Sequence, residues 1–168
     1  MKKPVRKPNR LQDYDYSQNG AYFVTICSKH RAEVFSHIVG AVANRPPCIE
    51  LTDMGHIIEN EIKIMQEIRN DVEVIRYVIM PNHIHMIIVI DVCGRYGDNG
   101  RLPTAPTLSD IIRLWKRAIS KQIGFSPWQR SFHDHIIRNQ DDFNCIIKYI
   151  EQNPALWAED CFYTGGQT

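Results

Sequence analysis

Two histidines one residue apart, His83 and His85, open the β-rich run HIHMIIVI. On a strand, residues i and i+2 leave the same face, roughly 7 Å apart at their Cα atoms, so two imidazoles in this spacing can share one divalent ion. An isolated H-x-H pair also serves as packed or surface histidine with no ligand role. The setting favours a site, because apolar residues follow on both faces through Ile90, as in a central strand, and polar groups at the mouth of such a strand tend to be functional. Further along, Tyr149 and Asn153 stand four residues apart, which puts them on one face of a helix. A phenol of ordinary pKa, about 10, is a weak nucleophile at neutral pH. A metal or positive field favours phenolate, and attack on a phosphodiester would conserve its energy as phosphotyrosine. Taken alone, Tyr149 reads as an ordinary core-edge tyrosine. Asn153 carries two readings: a neutral oxygen ligand suited to a hard ion such as Mg²⁺, or a helix cap, since Pro154 behind it disfavours helical backbone.

The elements that must position these groups follow from residue periodicity. Ala21 to Ser28 (AYFVTICS) reads as a buried strand after the turn-like stretch Ser17 to Gly20. Met54, Ile57, Ile58, Met65 and Ile68 recur at helical spacing between Thr52 and Arg69, with Thr52 or Asp53 as the N-cap. Val72 to Met80 and His83 to Asp91 are two strands of an antiparallel hairpin, divided by the turn signal Pro81-Asn82. A second helix runs from Thr107 to Ile123, with the stripe Leu108, Ile111, Ile112, Trp115 and Ile119 on one side and Arg113, Lys116, Arg117 and Lys121 on another. Ser131 to Arg138 is a further strand. Asp141-Asp142 then open a helix with the stripe Phe143, Ile146, Ile147 and Ile150, which Pro154 ends. The order contains β-α-β-β-α-β, so the expected class is α+β: a ferredoxin-like split βαβ domain, an antiparallel sheet with helices on one face.

With 168 residues, 43% of them hydrophobic, the chain can bury one good core and is short for two, so one domain spanning 1–168 is expected. Its formal charge is only +1, so affinity for nucleic acid depends on where the cations lie. They lie unevenly: Lys2, Lys3, Arg6, Lys7 and Arg10 have no acid among them and form a basic arm (1–13), while Val92 to Pro106, rich in Gly and Pro, reads as a flexible loop (92–106). Five cysteines, odd in number and without a C-x-x-C pair, argue against a disulfide framework or a zinc site and for a reducing cytoplasm. Neither a signal-peptide h-region nor a membrane-length apolar stretch is present in the sequence.

Three segments occur in order at set distances: P-N-H-I-H with its apolar strand, W-Q-R-S-F-H-D-H-I-I-R-N, and Y-I-E-Q-N-P-A-L-W. Together they resemble the REP-associated tyrosine transposases, which belong with the single-tyrosine transposases of the smallest bacterial insertion sequences among the HUH endonucleases. The resemblance runs from about Tyr14, in YDYSQNGAYFVTIC, to about Trp157. It implies metal ligation by His83 and His85 and a nucleophile at Tyr149. Asn153 matches the place where the insertion-sequence relatives usually carry glutamine as third ligand, one methylene longer. His135 and Arg138 match an H-x-I-R pattern, for which strand-face packing and phosphate contact are both open.

The activity so implied is cleavage and rejoining of single-stranded DNA beside a hairpin, an imperfect palindrome, through a 5′-phosphotyrosine, with Mg²⁺ or Mn²⁺ as cofactor. The basic arm and the cationic helix face would hold phosphates. The competing expectation is a hairpin-binding module or regulator that keeps the fold without turnover. A 2H-type phosphoesterase would need two H-x-[ST] motifs, which this pattern lacks. A monomer is expected in preference to a dimer with shared sites.

Overall fold

The computed structural model describes residue 16 and residues 19–40, 47–91 and 107–165. The basic arm with Lys2, Lys3, Arg6, Lys7 and Arg10, and the loop 92–106, lie outside the described residues. Strand β1 (Gly20–Cys27) is followed by a short 3-10 turn and by a small hairpin of β2 (Ser36–Val39) and β3 (Cys48–Leu51). Helix α1 (Asp53–Ile68), strands β4 (Val72–Ile79) and β5 (His83–Ile90), helix α2 (Leu108–Ile123), strand β6 (His133–Ile137) and helix α3 (Gln140–Gln152) complete the order. The main sheet runs β4-β5-β1-β6 with each neighbouring pair antiparallel. Setting the β2–β3 hairpin aside, this is the strand order of the split βαβ expected from the sequence, with β5 inserted between β1 and β4.

The sheet alternates between two cores. From β5, Ile84, Met86, Ile88 and Ile90 pack with Ile58 and Ile62 of α1 and with Ile111, Ile112, Trp115 and Ile119 of α2. Ile87, of the other parity, packs with Ile146 and Ile150 of α3. Both crossover helices therefore lie on one face, as expected, while α3 lies on the other. That corrects the expectation of helices on one face. The reason is in β5 itself, buried on both sides, so that a single helical layer would leave Ile87 in water. A bulge between Val74 and Arg76 reverses the parity of β4. Val72 and Val74 thus face α1 and α2, while Val78 joins the α3 core.

Local chemistry sets the helix ends. Thr52 caps α1, its hydroxyl accepting from the Gly55 N–H at 3.1 Å, and Thr107 with Asp110 closes a reciprocal capping box on α2. Gly55 is required by close approach, because a Cβ there would stand 2.1 Å from the Phe35 carbonyl oxygen. At the end of α2, Gly124 takes the left-handed conformation, φ 88°, of a helix C-cap. Asn139 caps α3, accepting from the Asp142 N–H at 2.8 Å.

Candidate active site

His83 and His85 enter the α3 side of the sheet from the first turn of β5. Both are buried, at 0% and 1% exposure, with ring centroids 4.4 Å apart. Asn82 fixes the first ring. Its amide nitrogen donates to the carbonyls of Phe162 (2.8 Å) and Arg31 (3.3 Å), so its oxygen faces Nδ1 of His83 at 3.0 Å. That oxygen only accepts, so His83 carries its proton on Nδ1 and presents Nε2 as a bare lone pair. His85 is held through Nδ1 by the Thr25 hydroxyl at 2.9 Å, which leaves its Nε2 facing α3. Second partners of this kind fix ring orientation at metal-ligating histidines.

From α3, the Tyr149 hydroxyl reaches 3.4 Å from His85 Nε2 and 3.5 Å from Oδ2 of Asp160. Its ring meets Phe23 edge-on, with centroids 6.0 Å apart. Asn153, four residues on and 2% exposed, donates from its amide nitrogen to Asp160 Oδ2 at 2.8 Å. The sequence suggested that Pro154 would push Asn153 out of helical conformation, but its backbone is helical (φ −54°, ψ −42°) and its N–H donates to the Tyr149 carbonyl. Its side chain is therefore no helix cap; it binds Asp160. The ligand atoms of His83, His85 and Asp160 all lie within 4.8 Å of one another, a cluster that could hold a metal ion.

Electrostatics suit a cation. Burial lowers the His83 pKa to about 3, with the Arg31 charge adding to it, and burial followed by the proximity of His83 lowers that of His85 to about 3. Both rings are neutral at neutral pH. Burial, then Asp160 and Cys161, raises the Tyr149 phenol to about 12. Two buried side-chain atoms at this centre, Nε2 of His83 and Oδ1 of Asn153, have no hydrogen-bond partner among the described residues. Both are lone-pair acceptors, and buried polar atoms are seldom left so. This donor set fits a hard or borderline divalent ion.

The remaining expected site residues are dispersed. His135 lies on β6 opposite Phe23, and its Nε2 meets Asp142, in the first turn of α3, at 2.9 Å. The Arg138 N–H donates to the same carboxylate at 3.3 Å. These two residues tether the start of the helix that carries Tyr149. Arg113, Arg117 and Lys121 are exposed on α2, beyond the sheet from Tyr149, with Arg113 paired to Asp110 at 3.1 Å. Lys116 is turned inward: its ammonium donates to the carbonyls of Gln129 (3.0 Å) and Ser131 (2.9 Å), and burial lowers its pKa to about 8. It ties the segment before β6 rather than adding to a cationic surface. Sequence reasoning passed over Asp160, Thr25 and Arg31, and took Asn82 only as a turn residue. Asn82 was within reach in the P-N-H triplet, whereas Asp160 sits in no recognisable spacing.

The structure is thus a split βαβ sheet whose central strand presents two neutral histidines to a helical tyrosine. The solved structure of a REP-associated tyrosine transposase bound to a REP hairpin shares this fold with a TM-score of 0.60, at 22% identity, covering 87% of this chain and 73% of that one. No protein-family model matches the chain. It is 33% identical to an uncharacterized protein of Haemophilus influenzae over a 177-residue alignment covering 94% of this chain and 93% of that protein. The chain belongs to one family with that protein.

Proposed function

We propose that the protein is a REP-associated tyrosine transposase of the single-tyrosine HUH group: a metal-dependent nuclease and strand transferase for single-stranded DNA beside a hairpin. The observation that carries this is the Tyr149 hydroxyl 3.4 Å from His85 Nε2, in a cluster where His83 Nε2 and the oxygen of neighbouring Asn153 are unpartnered among the described residues. A structural tyrosine would not need two buried lone pairs left bare beside it.

His83, His85 and Asp160 would hold Mg²⁺ or Mn²⁺, with Asn153 Oδ1 as a further neutral oxygen. Such an ion supplies Lewis-acid stabilisation of charge on the non-bridging phosphate oxygens. The chain's own part is positioning and proton handling. Phe23 and the tether from His135 to Asp142 set the height of Tyr149 above the sheet. Tyr149 Oη forms a bond to phosphorus while the bond from phosphorus to the 3′ oxygen breaks, giving a 5′-phosphotyrosine and a 3′-hydroxyl. The phenolic hydroxyl, oriented by Asp160 Oδ2 at 3.5 Å, gives its proton to water. The 3′ oxygen takes one from water. The reverse reaction with another 3′-hydroxyl joins strands without an external energy source.

The test is incubation of the protein with an end-labelled oligonucleotide that carries a hairpin and a single-stranded flank, resolved on a denaturing gel. Label should move with the protein in Mg²⁺ or Mn²⁺ and remain free in excess chelator. Tight hairpin binding without covalent transfer under any divalent ion would favour a hairpin-binding regulator instead.

A further inference from the structure

On the α3 side of the sheet a cleft of about 650 Å³ opens beside the candidate centre. Thr25 lines it, and the Thr25 hydroxyl also holds His85, so the cleft and the centre share a wall. Its volume falls in the range, about 300–1,000 Å³, of pockets that enclose a small ligand. Lys29, His30, Arg130 and His133 line it, and no aspartate or glutamate does. A second hollow of about 360 Å³ shares Lys29 and His30, again without an acid, and adds Phe125, which is 59% exposed.

The backbone between the two hollows is held in a costly conformation. His30 and Arg31 have φ of 60° and 57°, two consecutive non-glycine residues in the left-handed region. Such residues are strained and gather at ligand clamps. This turn is fixed from behind: the Arg31 guanidinium donates to the Cys161 carbonyl at 3.1 Å, and its carbonyl accepts from Asn82. Lys29 and Arg130 have no acidic partner among the described residues. In a chain with 20 cations and 19 acids, an acid-free, two-part hollow with an exposed aromatic ring has the make-up of a track for single strands, where cations follow phosphates and bases stack on rings.

Resting on the reading above, we propose that this track binds the unpaired strand adjoining the scissile phosphate. One base enters the cleft over the wall formed by the paired Thr25 and His133, its phosphates lie against Lys29 and Arg130, and the next base stacks on Phe125.

The test measures binding of a fluorescein-labelled oligothymidine 12-mer to the full chain by anisotropy, across a salt series, in chelator so that no turnover intervenes. Lys29→Ala combined with Arg130→Ala should weaken binding and lower the slope of log affinity against log salt by about 0.7 for each phosphate that is no longer neutralised. Phe125→Ala should weaken it about tenfold with the slope unchanged, as removal of one stacked base does. Lys63→Ala, on α1 and lining neither hollow, should match the parent. The substituted side chains are exposed, so thermal transitions should coincide and exclude misfolding. Parental affinity in both cleft variants, or no binding by the parent itself, would overturn the track. Covalent transfer to Tyr149 is read separately on the hairpin substrate. Its absence, with the cleft variants still impaired, sinks the transposase reading alone, and its presence with unimpaired variants sinks the track alone.

Discussion

The Tyr149 hydroxyl stands 3.4 Å from Nε2 of His85, across the junction between α3 and the central strand. Tyr149 as a residue is 41% exposed, whereas the histidine is buried. On the proposed reading, a long polymer can reach the side chain of Tyr149 while the two histidines stay buried. Tyr149→Phe removes only the oxygen and keeps the edge-on contact with Phe23. Covalent transfer should fall below detection, while hairpin affinity and melting temperature stay near the parent values. A gel-shift titration and a thermal melt check both halves.

Asn82 offers a finer test of the ligand assignment. Its oxygen is what places the proton on His83 Nδ1, and removing such a second partner typically costs 10–100-fold in metal affinity. Asn82→Ala should therefore weaken Mn²⁺ binding by about that factor in calorimetry, with His83→Ala and His85→Ala weakening it further. Among the α3-side oxygens, Asp160→Asn should harm binding more than Asn153→Ala, because the carboxylate alone carries charge.

Acid should unfold the metal-free protein through these same histidines. The unfolded chain takes up their protons near pH 6.5, while the folded chain resists until about pH 3. Between those values the unfolded state binds more protons, so the stabilisation is full above pH 6.5 and is lost as pH falls toward 3. Denaturant titrations in chelator should show stability falling with decreasing pH over this window, and His85→Gln should reduce the slope. A flat profile would show that the two rings are not buried as described.

Gly55 yields a purely structural prediction. Gly55→Ala improves helix propensity by about 1 kcal/mol, yet it drives a methyl group into the Phe35 carbonyl, a separation of 2.1 Å from backbone that cannot swing aside. The clash wins, so the substitution should destabilise by about 1–3 kcal/mol or more, read from urea midpoints. Gain of stability would mean that α1 and β2 approach less closely.

The basic arm is a separate expectation, since Lys2, Lys3, Arg6, Lys7 and Arg10 lie outside the described residues. Deleting residues 1–10 should weaken DNA affinity and flatten its salt dependence by about 0.7 log units per log of salt for each single-strand phosphate that the arm had neutralised. Cleavage at saturating DNA should survive.

How much was legible in advance follows from range. Elements with strong local signals, such as the capped helix behind Thr52 and the hairpin around Pro81-Asn82, fall within a residue or two of the expected bounds. The sequence also placed His83, His85, Tyr149 and Asn153 on the elements that bring them together. The β2–β3 hairpin escaped because each strand is only four residues long, with Pro46-Pro47 between them and weak alternation. Asp160 escaped for a different reason. It lies 75 residues from His85 and reaches the centre only through a turn that Asn82, Arg31 and Phe162 fold back onto the sheet. Lys116 shows the converse, since helical spacing put its Cα beside the cations while two carbonyls from another segment decided where the ammonium went.

On the proposed mechanism Tyr149 becomes joined to DNA. The most direct measurement is to trap the product of the hairpin oligonucleotide in Mn²⁺, digest it with protease and nuclease, and map the adduct by mass spectrometry. One modified peptide is expected, containing Tyr149 and bearing nucleotide through its 5′-phosphate, and none from Tyr149→Phe. A nucleotide on another residue, attachment through a 3′-phosphate, or cleaved DNA with no adduct at all would contradict it.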